Sequence, residues 1–150
     1  MHTLIILIAT GLYSGYLPKA PGTWGSLVGL LLFFMLQDLS LPFYLAAVAG
    51  LFVVGSFAAG ETEKILDSRD PGIVVIDEIV GMLIALIAIP VTPLFLLLGF
   101  ILFRFFDIVK PFPIRLIDQR FHGGLGIMLD DVVAGIYTLA VLHVAARIIV

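Results

Sequence analysis

Two neighbouring carboxylates, Asp77 and Glu78, stand in the stretch VVIDEIVGM, and the residues that follow, 79–103, carry no charge. An ionisable side chain inside an apolar segment costs free energy, so such a residue usually serves a function. Adjacent acids of this kind are typical of sites that bind a cation or transfer a proton. The question is therefore which other residues of the chain complete such a site.

Similar acids recur in two later stretches, and we predict that all of them form one metal site. Carboxylate oxygens are the ligands that Mg²⁺ takes in proteins, usually together with water and substrate phosphate. Without a bound cation, acids so close together would repel one another. Cysteine is absent, which excludes thiolate ligands and thiolate nucleophiles. The candidate Mg²⁺ ligands are Asp77, Glu78, Asp107, Asp130 and Asp131.

Basic residues near these acids suit an anionic substrate. Arginine and lysine bind phosphate through charge-assisted hydrogen bonds, and a metal beside such cations is typical of phosphoryl chemistry. Thr23 either contacts phosphate or caps the helix that follows. His122 is either the proton donor for a leaving alkoxide or a plain loop histidine. The candidate substrate-binding residues are Lys19, Thr23, Arg104, Lys110 and Arg115.

The same charges also have a structural interpretation. The helix dipole would stabilise Asp70 and Asp130 near helix N-termini, and Arg104 would pair with Asp107 within one helix. Each residue taken alone fits this interpretation about as well as the functional one. Five acids and several facing cations at one end of the molecule favour a functional site.

The composition predicts the environment of these elements. The chain has 150 residues, of which 61% are hydrophobic and only 13% are charged, and its mean hydropathy is +1.21. A soluble domain is roughly half apolar and a quarter charged, so we expect an integral membrane protein. The net charge of −3 and the lack of a basic tail exclude a nucleic-acid partner.

The uncharged stretches predict an all-α, polytopic helical bundle that forms a single domain over residues 1–150. A spanning helix needs about 20 residues. We expect about five spanning helices, some of them short, and a membrane-associated N-terminal segment over residues 3–13 that is too short to cross. The expected helices cover residues 23–37, 42–60, 72–89, 94–109 and 129–148.

Pro90 and Pro93 decide between one long kinked helix and a hairpin in the middle of the chain. Each proline removes a backbone donor, so we expect a break there. The hairpin places seven of the eight basic residues on one face of the membrane and leaves Arg147 on the other. Since positive residues favour the cytoplasmic side, the charged site is expected at the cytoplasmic face.

Small residues follow the acids at helical spacing. Gly81 lies four residues after Asp77, and Gly135 lies four residues after Asp131. Small residues let membrane helices approach closely, so we expect the two helices to bring Asp77 towards Asp131. Generic membrane packing explains the small residues equally well.

Four segments of the chain resemble the pattern of the phosphatidylglycerophosphatase A family: residues 18–26, 70–82, 103–115 and 122–135. They occur in the family's order and cover nearly the whole chain. Ile76 stands where some members carry tryptophan, but no charged motif residue departs from the pattern. The resemblance implies an all-α, Mg²⁺-dependent phosphatase of the bacterial cytoplasmic membrane. Its substrate would be phosphatidylglycerophosphate, hydrolysed to phosphatidylglycerol and phosphate.

The expected catalytic residues are Asp77, Asp131 and His122. In one hypothesis the carboxylates hold Mg²⁺, which polarises the phosphate and activates water for in-line attack. In the rival hypothesis Asp77 or Asp131 forms a covalent aspartyl-phosphate. His122 would protonate the leaving oxygen.

Two other functions use clustered acids on membrane helices. A CDP-alcohol phosphotransferase would carry a DGxxAR…GxxxDxxxD signature, which is absent. A cation or proton transporter would need acids near the midplane that are accessible from both faces, whereas one face here is almost free of charge. The phosphatase is therefore favoured, and the sequence leaves the oligomeric state open.

Overall fold

Helices make up almost all of the molecule. The computed structural model describes residues 2–149, and over that range it contains seven α-helices, one short 3-10 helix (Ser14–Tyr16) and no β-strand. The all-α prediction is confirmed. The helices are α1 (His2–Ala9), α2 (Pro21–Leu36), α3 (Leu41–Leu66), α4 (Ile76–Ala85), α5 (Pro93–Val109), α6 (Ile114–Arg120) and α7 (Gly123–Ile149).

Proline and left-handed residues set several helix ends. Pro21 and Pro93 begin α2 and α5, where the missing N–H would have had no partner inside the helix. Thr92 caps α5, because its side chain accepts a hydrogen bond from the Phe95 N–H at 3.4 Å. Lys110 ends the same helix with φ 48°. The expected alternative that Thr23 caps α2 is wrong, since that helix begins two residues earlier.

The last helix, α7, lies at the centre of the bundle. Helices α3, α4, α5 and α6 all pack against it, and α2 packs against α4. Most of the largest buried side chains come from α4, α5 and α7, among them Met82, Leu83, Phe95, Phe103 and Leu142. A charged group on the inner face of α7 is therefore close to several other helices.

Two helices, α3 and α7, are long and apolar enough to cross a membrane by themselves. This number is lower than the five spans expected from the sequence. With 16 and 17 residues, α2 and α5 extend about 24–26 Å at 1.5 Å per residue, which is less than the ~30 Å of a bilayer core. With eight residues, α1 is too short to cross, as predicted.

Helix α4 has ten residues, so the continuous helix expected over residues 72–89 is wrong. Before it, the Val74 N–H bonds to the Pro71 carbonyl at 2.8 Å, and the Val75 N–H bonds to the Ala9 carbonyl at 2.9 Å. These bonds hold the chain in a turn against α1 and delay the helix to Ile76.

After α4 the chain leaves helical geometry before it reaches the two prolines. Ala88 has a left-handed backbone with φ 53°, and Pro90 cannot donate to a preceding turn. The new helix starts at Pro93. The predicted break between the two helices is confirmed, although it begins earlier than expected.

Helix α7 starts at Gly123 rather than near residue 129. A β-carbon on Gly124 would lie 1.8 Å from the Ser56 carbonyl oxygen, so the glycine lets the first turn of α7 touch the backbone of α3. This packing offsets the low helix propensity of glycine. Helix α3 also continues to Leu66, past the expected end at residue 60.

Candidate active site

Two glycines bring the acid-bearing helices into backbone contact. A β-carbon on Gly135 would lie 2.5 Å from the Gly81 carbonyl oxygen, and one on Gly81 would lie 2.8 Å from the Asp131 carbonyl oxygen. Any larger residue at these positions would separate α4 from α7. The predicted approach of Asp77 to Asp131 is confirmed by the positions of their carboxylates.

Three acids form what we call the carboxylate triad: Asp77, Glu78 and Asp131. One oxygen from each lies within 4.8 Å of the others. Asp131 is 2% exposed, and each acid has a buried oxygen without a hydrogen-bond partner, namely Asp77 Oδ1, Glu78 Oε2 and Asp131 Oδ2. Buried polar atoms are normally paired, so three neighbouring carboxylates that each keep an unpaired oxygen fit a divalent cation with oxygen ligands, such as Mg²⁺.

The acids occupy different helical positions from those expected. Asp77 and Glu78 lie in the first turn of α4 rather than one turn inside it, where the helix dipole favours negative charge. Asp130 and Asp131 lie about two turns into α7 rather than at its start. The triad thus combines the beginning of one helix with the inner part of another.

Arg104 lies beside the triad and pairs with acids on two sides. It forms an ion pair with Asp107 one turn later on α5, and its Nη1 is 3.9 Å from Glu78 Oε1. A β-carbon on Gly22 would lie 2.3 Å from Glu78 Oε1 and 2.7 Å from Arg104 Nη1. The glycine at the start of α2 therefore makes room for this charged contact.

Lys110 connects the end of α5 to two other helices. Its Nζ forms an ion pair with Asp130 on α7 and lies 3.2 Å from Asp118 Oδ1 on α6. Burial would lower the pKa of the ammonium group, but the hydrogen bonds and charges of the two aspartates raise it above its usual value. The ammonium is therefore held in its charged form between the two carboxylates.

The five predicted metal ligands fall into two groups in the structure. The carboxylate triad converges with unpaired oxygens. Asp107 and Asp130 instead have cationic partners, Arg104 and Lys110. The triad is the better ligand set, and the two paired acids position cations around it.

A cavity of about 660 Å³ contains the triad, with Arg104, Lys110 and His122 also in its wall. Lys19, Thr23 and Arg115 do not line it. Lys19 is exposed in the turn before α2, and Arg115 is exposed on α6. Their predicted contact with phosphate stays a prediction.

Sequence reasoning missed several residues of the cavity wall. Glu63 lines it from the end of α3, and its Oε1 accepts a hydrogen bond from the Asp70 N–H at 2.8 Å. Arg69 and Asp118 also line it. The available signal was the charged sequence ETEK at residues 61–64, which continues α3 beyond the apolar segment.

Comparison with known proteins gives a consistent result. The family model described as phosphatidylglycerophosphatase A matches residues 7–146. The phosphatidylglycerophosphatase A of Haemophilus influenzae is 45% identical over 91% of this chain and 85% of its own length. The Escherichia coli protein of the same name is 38% identical over 91% of this chain and 80% of its own length.

A third relative carries a different name. A Bacteroides thetaiotaomicron protein named "Putative phosphatidylinositol-3-phosphatase" is 41% identical over 97% of this chain and 96% of its own length. No solved structure is a significant match. The family model covers nearly all of the chain, including every residue of the carboxylate triad. The chain therefore belongs to the phosphatidylglycerophosphatase A family of phosphatases.

Proposed function

We propose that this protein hydrolyses the phosphomonoester of phosphatidylglycerophosphate, giving phosphatidylglycerol and phosphate, with Mg²⁺ as cofactor. The observation that carries the proposal is the carboxylate triad in the cavity, where three acids converge and each keeps a buried oxygen without a hydrogen-bond partner. Membership of the phosphatidylglycerophosphatase A family supports the choice of this lipid as the substrate. The triad supplies a reason why a divalent cation is needed, since the acids repel one another without one.

Each group of the site has a proposed task. Asp77, Glu78 and Asp131 hold Mg²⁺, which supplies positive charge and Lewis acidity at the phosphate when it is bound. Arg104 neutralises charge beside Glu78 and places its guanidinium at the cavity wall. His122, at the same wall, donates a proton to the leaving glycerol oxygen.

Lys110 has a positioning role in this proposal. Its two carboxylate partners occupy the ammonium group, so a direct contact with phosphate would have to displace one of them. We infer that Lys110 mainly holds Asp130, and with it the neighbouring Asp131, at the correct place on α7. The nucleophile is either water or the carboxylate of Asp77 or Asp131.

We further propose that the protein is multi-pass and places this cavity at the cytoplasmic interface. Large apolar side chains face outwards along α3, including Phe43 at 70% and Phe57 at 64% exposure, as expected for a helix in contact with lipid. The α4–α5 hairpin and α2 would complete the membrane-embedded part. Seven of the eight basic residues would then lie on the cytoplasmic side.

The test is phosphate release by the purified protein in detergent micelles. Phosphatidylglycerophosphate should release phosphate in the presence of Mg²⁺, and the activity should disappear on chelation and return when Mg²⁺ is added back. The name of the Bacteroides relative favours phosphatidylinositol 3-phosphate as a second candidate substrate. A higher kcat/KM for that lipid would overturn the assignment of phosphatidylglycerophosphate, and Mg²⁺-independent hydrolysis would overturn the role of the triad.

A further inference from the structure

The cavity has a strong excess of negative charge. Eight carboxylates and three cations line it, the cations being Arg69, Arg104 and Lys110. Arg104 and Lys110 both form ion pairs with acids of the same wall. A substrate with two anionic groups needs a cation for the second group as well as for the first.

Arg69 is the cation of this wall that has no carboxylate within 4.0 Å among residues 2–149. Its Nη2 lies 2.9 Å from Nδ1 and 3.0 Å from Nε2 of His122. An atom nearly equidistant from both ring nitrogens must lie over the face of the ring. Nη2 therefore lies against the face of the imidazole, a contact that arginine commonly makes with flat rings.

The Arg69–His122 pair lies in the exposed part of the cavity wall. Arg69 and His122 are both exposed, whereas the Asp131 carboxylate is buried. Arg69 belongs to the loop between α3 and α4, which is anchored by the hydrogen bond from the Asp70 N–H to Glu63. His122 directly precedes α7. The pair thus joins two loops at the outer end of the cavity.

The proposed substrate carries two anionic groups. Its terminal phosphomonoester belongs at the buried triad, and its phosphodiester lies one glycerol away, next to the diacylglycerol. The acid-rich interior would repel this second anion. We propose that Arg69, in contact with His122, binds the phosphodiester of the lipid headgroup, an inference that rests on the proposed function.

This assignment defines a substrate class. The enzyme would select lipids in which a polyol carries a phosphomonoester and is joined to diacylglycerol through a phosphodiester. Phosphatidic acid has its phosphomonoester directly on diacylglycerol and has no second phosphate for Arg69. Removing the Arg69 charge should therefore affect the first class of lipid and spare phosphatidic acid.

The first experiment measures binding of phosphatidylglycerol, which retains the phosphodiester but lacks the phosphomonoester. Titration of the detergent-solubilised protein should give about tenfold weaker binding for Arg69→Gln than for the wild type, a loss of ~1.4 kcal/mol. Arg69→Lys should lose less, because it keeps the charge but not the planar fork. Arg120→Gln is the matched control, since Arg120 is exposed at the end of α6 and does not line the cavity.

Kinetics supply the second readout. For phosphatidylglycerophosphate, Arg69→Gln should raise KM about tenfold and change kcat little. For phosphatidic acid, the same substitution should leave kcat/KM for any hydrolysis unchanged. Wild-type binding of phosphatidylglycerol by Arg69→Gln, or an equal loss with both lipids, would overturn the inference. The wild-type protein could bind phosphatidylglycerol in an Arg69-dependent way and yet release no phosphate from phosphatidylglycerophosphate. That result would support this subsite and overturn the proposed function.

Discussion

Gly81 and Gly135 face each other so closely that a β-carbon added to Gly135 would lie only 2.5 Å from the Gly81 carbonyl oxygen. The backbones of α4 and α7 therefore touch one helical turn beyond Asp77 and Asp131. Because backbone contacts rather than long side chains set this separation, the distance between the two carboxylates is fixed by helix packing. A site assembled in this way is preorganised before any ligand binds.

Gly135→Ala should separate the helices and disturb the triad. The new methyl group would meet the Gly81 carbonyl oxygen and the Ile84 side chain, and overpacking of this kind costs about 1–3 kcal/mol. We expect lower phosphatase activity and a lower melting temperature. Gly50→Ala is the matched control, because nothing lies within 4 Å of its β-carbon. Equal effects of both substitutions would contradict the packing argument.

Asp131→Asn should abolish activity and also remove the response of stability to Mg²⁺. Replacing a residue that only contacts a metal ligand already lowers metal affinity or activity by about 10–100-fold. Replacing a ligand itself should therefore lower the rate of phosphate release by more than ~100-fold. Without metal the variant should melt at a higher temperature than the wild type, because carboxylate repulsion is relieved.

The measurement for this variant is thermal unfolding with and without Mg²⁺, beside phosphate release. The wild type should be stabilised by the cation, whereas Asp131→Asn should not. Asp38→Asn, in the exposed turn after α2, should behave like the wild type. Full Mg²⁺ stabilisation of Asp131→Asn would exclude this residue as a ligand.

Arg104→Gln tests whether the arginine acts on structure, on catalysis or on both. It leaves Asp107 without its partner, and both side chains are about 85% buried (15% and 13% exposed). Loss of one member of a buried ion pair costs about 3–5 kcal/mol. Adding Asp107→Asn should recover most of the stability but little of the activity, if Arg104 also neutralises the substrate. Recovery of both properties in the double variant would assign Arg104 a purely structural role.

His122→Gln tests proton donation to the leaving group. General acids typically contribute 10²–10⁴-fold, so hydrolysis of the alkyl phosphomonoester should fall by about 100-fold or more. An aryl phosphate, whose leaving group needs no proton, should lose much less. A uniform loss on both substrates would point to the contact between His122 and Arg69 rather than to proton transfer.

The sequence predicted the features that follow from local chemistry. Pro90 and Pro93 predicted the break between α4 and α5, and the small residues predicted the approach of Asp77 to Asp131. The early start of α7 was not predictable from local chemistry, because a glycine-rich segment has low helix propensity. It becomes helical through tertiary contact of Gly124 with α3.

The composition of the site was only partly predictable for the same reason. Spacing identifies which acids can converge, but it does not show which of them a cation already neutralises. Asp130 and Asp131 are neighbours, yet Asp130 pairs with Lys110, whereas Asp131 keeps an unpaired oxygen and belongs to the triad. Arg69 was missed because its role depends on a loop-to-loop contact with His122, which no periodic pattern encodes.

The two backbone contacts of α7, at Gly124 and at Gly135, also bear on how the protein can evolve. A side chain of any size at either position meets a carbonyl group of a neighbouring helix, and no rotamer avoids it. Asparagine in place of an aspartate of the triad has nearly the same size and adds no such clash. The chemistry of the cavity can therefore change through an isosteric substitution at one carboxylate, whereas any substitution at the two glycines first changes the packing of the helices.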